Sequence, residues 1–238
     1  MYLSHLLIDV GDNPDRPRPG RLWLRDVYHV HQRLSMAFPT REQCVGDPHF
    51  LHPFDSAGFE PRFERSRFLF RIDNGVEDES PRALILMQSA LRPDWDYAFH
   101  NARVFLAAEP ETRQYDPAFA AGHELRFRIR VNLNKKSCQH GKRLALTWDK
   151  GQRPDDVIGG WFERKTAGKG FDVRRLQLVH LGWVGGYKAS TERMKFRSAL
   201  LEGRLTVTHP PAFAQAIASG IGSAKAFGFG LLSVAPVS

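Results

Sequence analysis

The chain has 238 residues, which is enough for one large domain or two small ones, and its hydrophobic content of 42% predicts a packed core. The formal net charge of +8 favours a polyanionic partner, nucleic acid first, although a generally basic proteome or a thermostable surface would give the same balance. Cys44 and Cys138 are too few for a disulfide framework or a cysteine zinc site. We expect a cytoplasmic protein, because the apolar start has no basic leader and no stretch is apolar enough to span a membrane.

The first half of the chain is predicted to open with a strand and a long helix. Residues 2–10 are apolar and β-prone, and a loop rich in Pro, Gly and Asp follows them. The helix is predicted from Leu22 to Phe38, where Pro39 ends it, and the segment 40–66 is irregular. DWDYAF (94–99) is the only candidate for a second helix. Further strands are predicted at 67–73, 82–89, 103–109 and 124–133.

The second half repeats this pattern. A helix is predicted at 154–165, and another at 210–220 begins with Pro and has Gly just past its end. Strands are predicted at 171–183, 194–208 and 229–237. Each half resembles a βαββαβ unit, so the predicted fold class is α+β with two tandem ferredoxin-like (RRM-like) domains. The predicted domains are residues 1–134 and 135–238.

The helix near the N-terminus carries the catalytic candidates. Its apolar stripe is formed at helical spacing by Val27, Val30, Leu34 and Phe38. His31 lies at the rim of this stripe with Tyr28 beside it, whereas His29 points to another side. The alternative is that His31 only fills a half-buried rim position. The alternate histidines of HVH diverge on a helix and HFLH (49–52) lacks a carboxylate or cysteine partner, so we predict no metal and no cofactor.

Basic residues cluster in the middle of the chain. In the strand at 124–133 the apolar residues face one way and three arginines the other, and no acid lies between Arg126 and Arg143. A solvated strand face is the alternative, but neighbouring arginines repel one another unless an anion such as a phosphate backbone lies beside them. ERKTAGKG (163–170) is a second basic stretch. The predicted RNA-binding residues of the two stretches are Arg126, Arg128, Arg130, Lys135, Lys136, Lys142, Arg143, Arg164, Lys165 and Lys169.

The segment SGIGSAKAFGFGLL (219–232) is a glycine-rich loop before the last strand. Its G-x-G-x5-G-x-G pattern allows backbone or phosphate to approach closely, although a tight structural turn explains it equally well. It is not a dinucleotide fingerprint, which follows a strand and opens a helix, and it has no P-loop Gly-Lys-Ser/Thr. The predicted RNA contacts of this loop are Gly220, Gly222, Lys225, Gly228 and Gly230.

Taken together, these parts resemble a known family. The start MYLS, the helix RDVYHVHQRLSMAFP, the strands FLFRI and LRFRIRVNLNKK and the ending GIGSAKAFGFGLLSVAP resemble the CasE-type CRISPR RNA-processing endoribonucleases. These are the processing subunits of type I-E Cascade complexes and belong to the RAMP superfamily. The likeness spans nearly the whole chain, and the start, the helix and the ending together are specific.

The resemblance implies a metal-independent cut at the 3′ base of the stem-loop of the CRISPR repeat RNA. The family's Tyr-x-x-His motif falls on Tyr28 and His31 and leaves His29 aside, and the basic second domain would hold the hairpin. The processed RNA would stay bound and seed the assembly of Cascade with its other subunits. The chemistry of the residues agrees, because a histidine can act as general acid or base when the 2′-OH attacks its own phosphate. The products would be a 2′,3′-cyclic phosphate and a 5′-OH.

Other functions fit some of the same residues. A non-catalytic RNA-binding subunit would need the basic strand face and the glycine loop but would leave Tyr28 and His31 idle. A purely structural subunit would present its basic face to acidic partners, and a steep loss of RNA affinity with salt would count against it. A metal-dependent nuclease fits poorly because no carboxylate cluster is visible in the sequence.

Overall fold

A computed structural model describes residues 1–238 except 14, 16, 17, 41–67, 74–80, 137–142, 189–191 and 238. The segment predicted as irregular, apart from Thr40, and both cysteines lie outside the described residues, as does HFLH. The chain forms two compact units, Met1–Asp116 with Gly186–Arg193, and Pro117–Gly185 with Met194–Ser238. Among the described residues, no helix is both long enough and apolar enough to cross a membrane.

The first unit contains an antiparallel sheet of four strands in the order β2-β3-β1-β4, as far as the residues are described. Helix α2 lies in the chain between β1 and β2, and helix α3 between β3 and β4, which is the ferredoxin-like arrangement. The elements are β1 (Tyr2–Asp9), α1 (Pro19–Leu24), α2 (Val27–Met36), β2 (Phe68–Asp73), β3 (Arg82–Ser89), α3 (Trp95–Phe99) and β4 (Glu111–Gln114).

The second unit has a sheet with the same connectivity, in the order β10-β5-β9-β8. A small hairpin, β6–β7, is inserted before its first helix. The elements are β5 (Glu124–Asn132), β6 (Asn134–Lys136), β7 (Arg143–Ala145), α4 (Pro154–Thr166), β8 (Phe171–Lys188), β9 (Glu192–Val207), α5 (Pro210–Ser219) and β10 (Leu232–Pro236). The predicted α+β class with two tandem ferredoxin-like folds is confirmed.

Alternation along the strands decides which side of each sheet is buried. In β5 the apolar residues are buried and the arginines between them are half-buried or exposed. Phe162 of α4 stacks on Phe127 of β5, with ring centroids 5.9 Å apart, so the apolar side of β5 faces a helix. Because successive side chains of a strand point to opposite faces, the arginines lie on the other face of this sheet.

Two predicted elements of the first unit differ in the structure. The single helix predicted at 22–38 is interrupted at Asp26, which has an extended backbone and caps a separate helix, α2. The strand predicted at 103–109 is instead a 3₁₀ turn at Arg103–Phe105, followed by one bridge from Leu106 to Ile8. The Phe105 ring stacks on Trp23 at 5.1 Å, so the apolar part of this run packs as a turn.

The boundary between the units lies earlier than the one predicted after residue 134. Strand β5 pairs with β9 and β10, so it belongs to the second sheet and not to the first. The edge strand of the first sheet is β4. Its polar sequence, ETRQ, lacks the apolar alternation that predicts a strand. The strand that the sequence shows most clearly, β5, therefore belongs to the second unit and not to the predicted domain 1–134.

Candidate active site and nucleic-acid interface

Helix α2 owes its start to Asp26. One carboxylate oxygen, Oδ1, accepts hydrogen bonds from the backbone N–H groups of Tyr28 (2.9 Å) and His29 (3.3 Å). These bonds satisfy donors that the first turn of a helix leaves without a partner, which is the usual role of an N-cap aspartate. Tyr28 and His31 follow three residues apart on this helix and so lie on the same side of it.

The His31 side chain is half-buried against aromatic rings. Its imidazole stacks on Phe68 of β2, with centroids 5.4 Å apart and planes at 24°, and Phe68 in turn stacks on Phe38. The Ser35 hydroxyl donates to the backbone carbonyl oxygen of His31 at 2.8 Å. His31 is thus placed by packing on β2, and one part of its surface remains accessible to a ligand.

His29 has a different environment, as the sequence predicts. Its side chain is 60% exposed, and its Nδ1 lies 3.6 Å from Oδ2 of Asp26. The structure therefore separates the two histidines of this helix: His31 packs into the first unit beside Phe68, and His29 stands in solvent near the cap.

The end of strand β8 packs on the start of α2. The backbone N–H of Tyr187 donates to Oδ2 of Asp26 at 3.1 Å, so both oxygens of this carboxylate are engaged. Gly186 fits there only because it has no side chain: an added Cβ would lie 2.3 Å from Oδ1 of Asp26 and 3.1 Å from the Tyr28 nitrogen. Sequence reasoning missed these contacts. An aspartate before an apolar helical pattern is a recognisable cap signal, whereas nothing in the sequence marks Gly186.

Two of the three arginines predicted on this face of β5, Arg126 and Arg128, line a groove of about 400 Å³ in the second unit, and Arg130 is not among its lining residues. Arg126 lies opposite Arg204, and Arg128 lies opposite Glu202 in the register of β5 and β9. Arg128 and Glu202 form an ion pair at 3.3 Å, so an acid that is remote in sequence partly neutralises the face. The groove is lined by Arg126, Phe127, Arg128, Arg175, Gln177, Glu202, Gly203, Arg204, Ser233, Val234 and Ala235.

The other basic residues predicted to bind RNA lie at separate places in the second unit. Lys135 and Arg143 are exposed on the β6–β7 hairpin, and Arg143 pairs in register with Lys136. Lys142 lies outside the described residues. Arg164 and Lys165 are exposed in the last turn of α4, where the Lys165 ammonium lies 5.7 Å from the Trp161 ring. The last predicted lysine of this set, Lys169, lies in the turn after α4, and its charge acts on Lys225 of the glycine loop.

The glycine-rich loop carries one predicted lysine, Lys225, whose charge is influenced by another, Lys169. Lys225 is half-buried and donates to the carbonyl oxygen of Ser219 at 2.6 Å. Burial lowers the pKa of the Lys225 ammonium, and the nearby positive charge of Lys169 lowers it further. Two like charges that repel one another favour an anion beside them.

The glycines give this loop its path. All four glycines of the pattern, Gly220, Gly222, Gly228 and Gly230, have a positive φ between 69° and 88°. Other amino acids rarely adopt this conformation, which glycine adopts readily. At Gly230 an added Cβ would also lie 2.7 Å from the carbonyl oxygen of Ile221. The N–H of Gly230 donates to the carbonyl oxygen of Arg130 at 2.8 Å, which anchors the loop to β5.

Charge is distributed unequally between the units. The second unit has 18 Lys and Arg residues against 7 Asp and Glu, a net charge of +11. The first unit has 16 against 19, a net charge of −3. The basic character of the chain therefore belongs to the unit that carries the arginine groove and the glycine loop.

Comparison with known proteins identifies the family. A family model described as "CRISPR associated protein" matches residues 1–236. The chain belongs to this family. Among curated relatives, the CRISPR-associated endoribonuclease Cse3 of Thermus thermophilus is 31% identical over 220 residues, covering 85% of this chain and 97% of that protein.

A further relative and a solved structure match nearly the full length of the chain. The Cascade subunit CasE of Escherichia coli strain K12 is 28% identical over 244 residues and covers all of both chains. A solved structure of the CRISPR endoribonuclease Cse3 bound to a 19-nucleotide RNA has a TM-score of 0.72 at 26% identity, covering 99% of this chain and 100% of that one. The resemblance to CasE-type proteins that the sequence indicates is confirmed.

Proposed function

We propose that this chain is an endoribonuclease that cuts CRISPR precursor RNA at the 3′ base of the repeat stem-loop and keeps the product as a subunit of a Cascade complex. The relatives named as a CRISPR-associated endoribonuclease and as a Cascade subunit support this assignment over the whole chain. The observation that carries it is helix α2, which holds Tyr28 and His31 on one side behind an aspartate cap. The protein would act in the cytoplasm, where such a transcript is made.

The proposed reaction needs only groups of the protein and of the RNA. The 2′-OH attacks the adjacent phosphate, the bond to the 5′-oxygen breaks, and the products are a 2′,3′-cyclic phosphate and a 5′-OH. His31 serves as the principal general acid or base, a role worth about 10²–10⁴ in rate. The Tyr28 phenol assists by hydrogen bonding to the 2′-OH or the phosphate, and basic side chains stabilise the charge of the transition state.

The second unit supplies the proposed RNA-binding surface. Its net charge of +11 matches a polyanion, and the arginine groove concentrates cationic side chains on one sheet face. Arginine recognises phosphate through a planar set of donors. The Lys169–Lys225 pair beside the glycine loop is the second proposed phosphate contact, because an anion there would offset the repulsion between the two ammonium groups.

A single-turnover cleavage assay tests this proposal. A repeat hairpin RNA is incubated with excess protein in EDTA, beside the same RNA with a 2′-deoxy nucleotide just upstream of the cut. We expect the first RNA to be cut and the second to stay intact, because only the first has the attacking hydroxyl. If the protein binds both RNAs tightly but cuts neither, the result would contradict endoribonuclease activity and indicate a non-catalytic RNA-binding subunit. Cleavage of both would contradict the 2′-OH mechanism.

A further inference from the structure

An exposed tryptophan stands among cations on the long strands of the second unit. Trp183 of β8 is 53% exposed. The Lys195 ammonium lies 4.3 Å from the centre of its ring, and the Arg197 guanidinium lies 5.8 Å from it. Arg197 also stacks on Trp148 at 3.8 Å. We refer to Trp148, Arg197, Trp183 and Lys195 as the Trp183 ladder.

The inner half of the ladder is fixed by the fold. The Arg197 side chain donates to the carbonyl oxygen of Leu146 at 2.5 Å, and the Arg197 carbonyl accepts from the Leu133 N–H at 2.7 Å. Between the two cations of β9, Phe196 makes different contacts and stacks on Phe227 of the glycine loop at 5.2 Å. Arg197 is thus held on both sides.

The outer half of the ladder has the chemistry of a nucleotide site. Trp183 leaves half of a large apolar ring in water, and Lys195 beside it is exposed. Among the side chains that the structure describes, none of the ion pairs places a carboxylate on Lys195 or Arg197. An aromatic ring next to uncompensated cations is the arrangement with which proteins stack an unpaired base and bind its phosphate.

We propose that the Trp183 ladder binds one unpaired nucleotide of the RNA, with its base stacked on Trp183 and a flanking phosphate on Lys195. The nucleotide must be unpaired, because the bases of a duplex are stacked on one another and offer no free face to a side chain. The ladder shares no residue with the Tyr28–His31 pair, the arginine groove or the glycine loop. It rests on the proposed function only in taking RNA as the ligand.

A thermodynamic cycle between protein and RNA tests the ladder. The RNA is the repeat hairpin with single-stranded flanks and a 2′-deoxy nucleotide before the cut, so that binding is measured without cleavage. Each unpaired nucleotide is replaced in turn by an abasic one. We expect one abasic position to weaken binding to the wild-type chain by about 5- to 100-fold, the range for loss of a stacked base. Trp183→Ala should weaken binding of the intact RNA by a similar factor and make that abasic position neutral.

Two matched variants separate stacking from general effects. Trp183→Phe keeps an aromatic ring and should bind within about threefold of wild type. Val179→Ala removes another exposed apolar side chain of β8, 40% exposed and without a ring, and should leave affinity unchanged. The abasic series is measured on the wild-type chain and needs no variant. The proposal can therefore still be refuted if Trp183→Ala does not fold.

Some results would overturn the ladder. The first is equal RNA affinity of Trp183→Ala and wild type. The second is that the losses of binding free energy from Trp183→Ala and from each abasic position are additive. The third is that no abasic position changes the affinity of the wild-type chain. If the wild-type chain binds the unmodified RNA but does not cut it, the proposed endoribonuclease activity is refuted. The binding cycle still tests whether the Trp183 ladder binds a nucleotide. If wild type fails to bind the hairpin, an unstructured oligoadenylate of about 12 nucleotides is used, and absence of binding to it overturns the ladder as well.

Discussion

Asp26 shows how one side chain can fix two parts of a candidate active site. Its Oδ1 caps α2 and its Oδ2 accepts the N–H of Tyr187, and the carboxylate is only 17% exposed. Asparagine and aspartate are about equally good N-caps, but an asparagine has one acceptor oxygen where an aspartate has two. The two roles of Asp26 can therefore be separated by substitution.

Asp26→Asn should keep the cap and lose the bond to Tyr187, whereas Asp26→Ala should lose both. We expect Asp26→Ala to lower the free energy of unfolding by about 1–2 kcal/mol, as for other N-cap removals, and Asp26→Asn to lower it less. Chemical denaturation of both variants measures the difference. Equal unfolding midpoints for Asp26→Ala and wild type would show that the cap contributes nothing.

His31→Ala should abolish cleavage and leave RNA binding nearly intact. The expected loss of about 10²–10⁴ in single-turnover rate is that of a general acid or base, while the basic residues of the second unit are untouched. His29→Ala is the matched control, because His29 is on the same helix but 60% exposed and near the cap. A His31→Ala protein that still cuts at the wild-type rate would rule out the assignment.

At the level of elements, the sequence predicts the helices and strands that are determined by local sequence. The strict alternation of β5 and the Pro and Gly at the two ends of α5 predict these elements well, and DWDYAF is a helix capped by Asp94. Partnership between strands is less visible, because β5 could join either sheet until its pairing with β9 is known. The contact of Gly186 with Asp26 joins residues remote in sequence, so no local pattern reveals it.

Gly186→Ala tests the contact between β8 and α2. The new Cβ would lie 2.3 Å from an oxygen that two backbone N–H groups hold in place, so the carboxylate cannot move without weakening the cap. We expect a loss of about 1–3 kcal/mol in stability, typical of overpacking, and a slower single-turnover rate.

Gly159→Ala is the control for that substitution. It lies within helix α4, where an added Cβ would make only an ordinary 4.0 Å contact with Leu176. Since alanine is a better helix former than glycine, this variant should be more stable by up to about 1 kcal/mol. In thermal denaturation, the melting temperature should therefore fall for Gly186→Ala and rise for Gly159→Ala. A Gly186→Ala protein more stable than wild type would contradict the close approach of Gly186 to Asp26.

For the molecule as a whole, the unequal charge of the units predicts how RNA binding responds to salt. Each phosphate neutralised by a cation releases a counterion, so affinity falls linearly with salt on logarithmic axes. Glu202 should oppose the proposed binding, because it lies in the arginine groove and pairs with Arg128 at 3.3 Å. Its removal should free a cation for the RNA.

Glu202→Gln should bind repeat RNA more tightly at low salt and show a steeper salt dependence, by about one unit in the slope or less. The measurement is a series of dissociation constants between about 50 and 200 mM salt. Arg204→Gln, in the same groove, should change both quantities in the opposite direction. Unchanged affinity in both variants would place the RNA elsewhere on the protein.

Lys225 makes a contribution of definite sign to the pH dependence of stability and of RNA binding. Its pKa is lowered in the folded protein by burial and by Lys169, so the unfolded chain holds this proton more firmly than the folded one. The contribution of Lys225 to folding stability should then rise as pH rises through the lowered pKa towards the ordinary lysine value. RNA binding should change the other way, because the phosphate contact needs the charged ammonium. Dissociation constants measured between about pH 7 and 10 should increase with pH, and Lys169→Gln should move that increase to higher pH by removing the repulsion. Equal pH profiles for wild type and Lys169→Gln would separate the two lysines and remove the reason to place a phosphate between them.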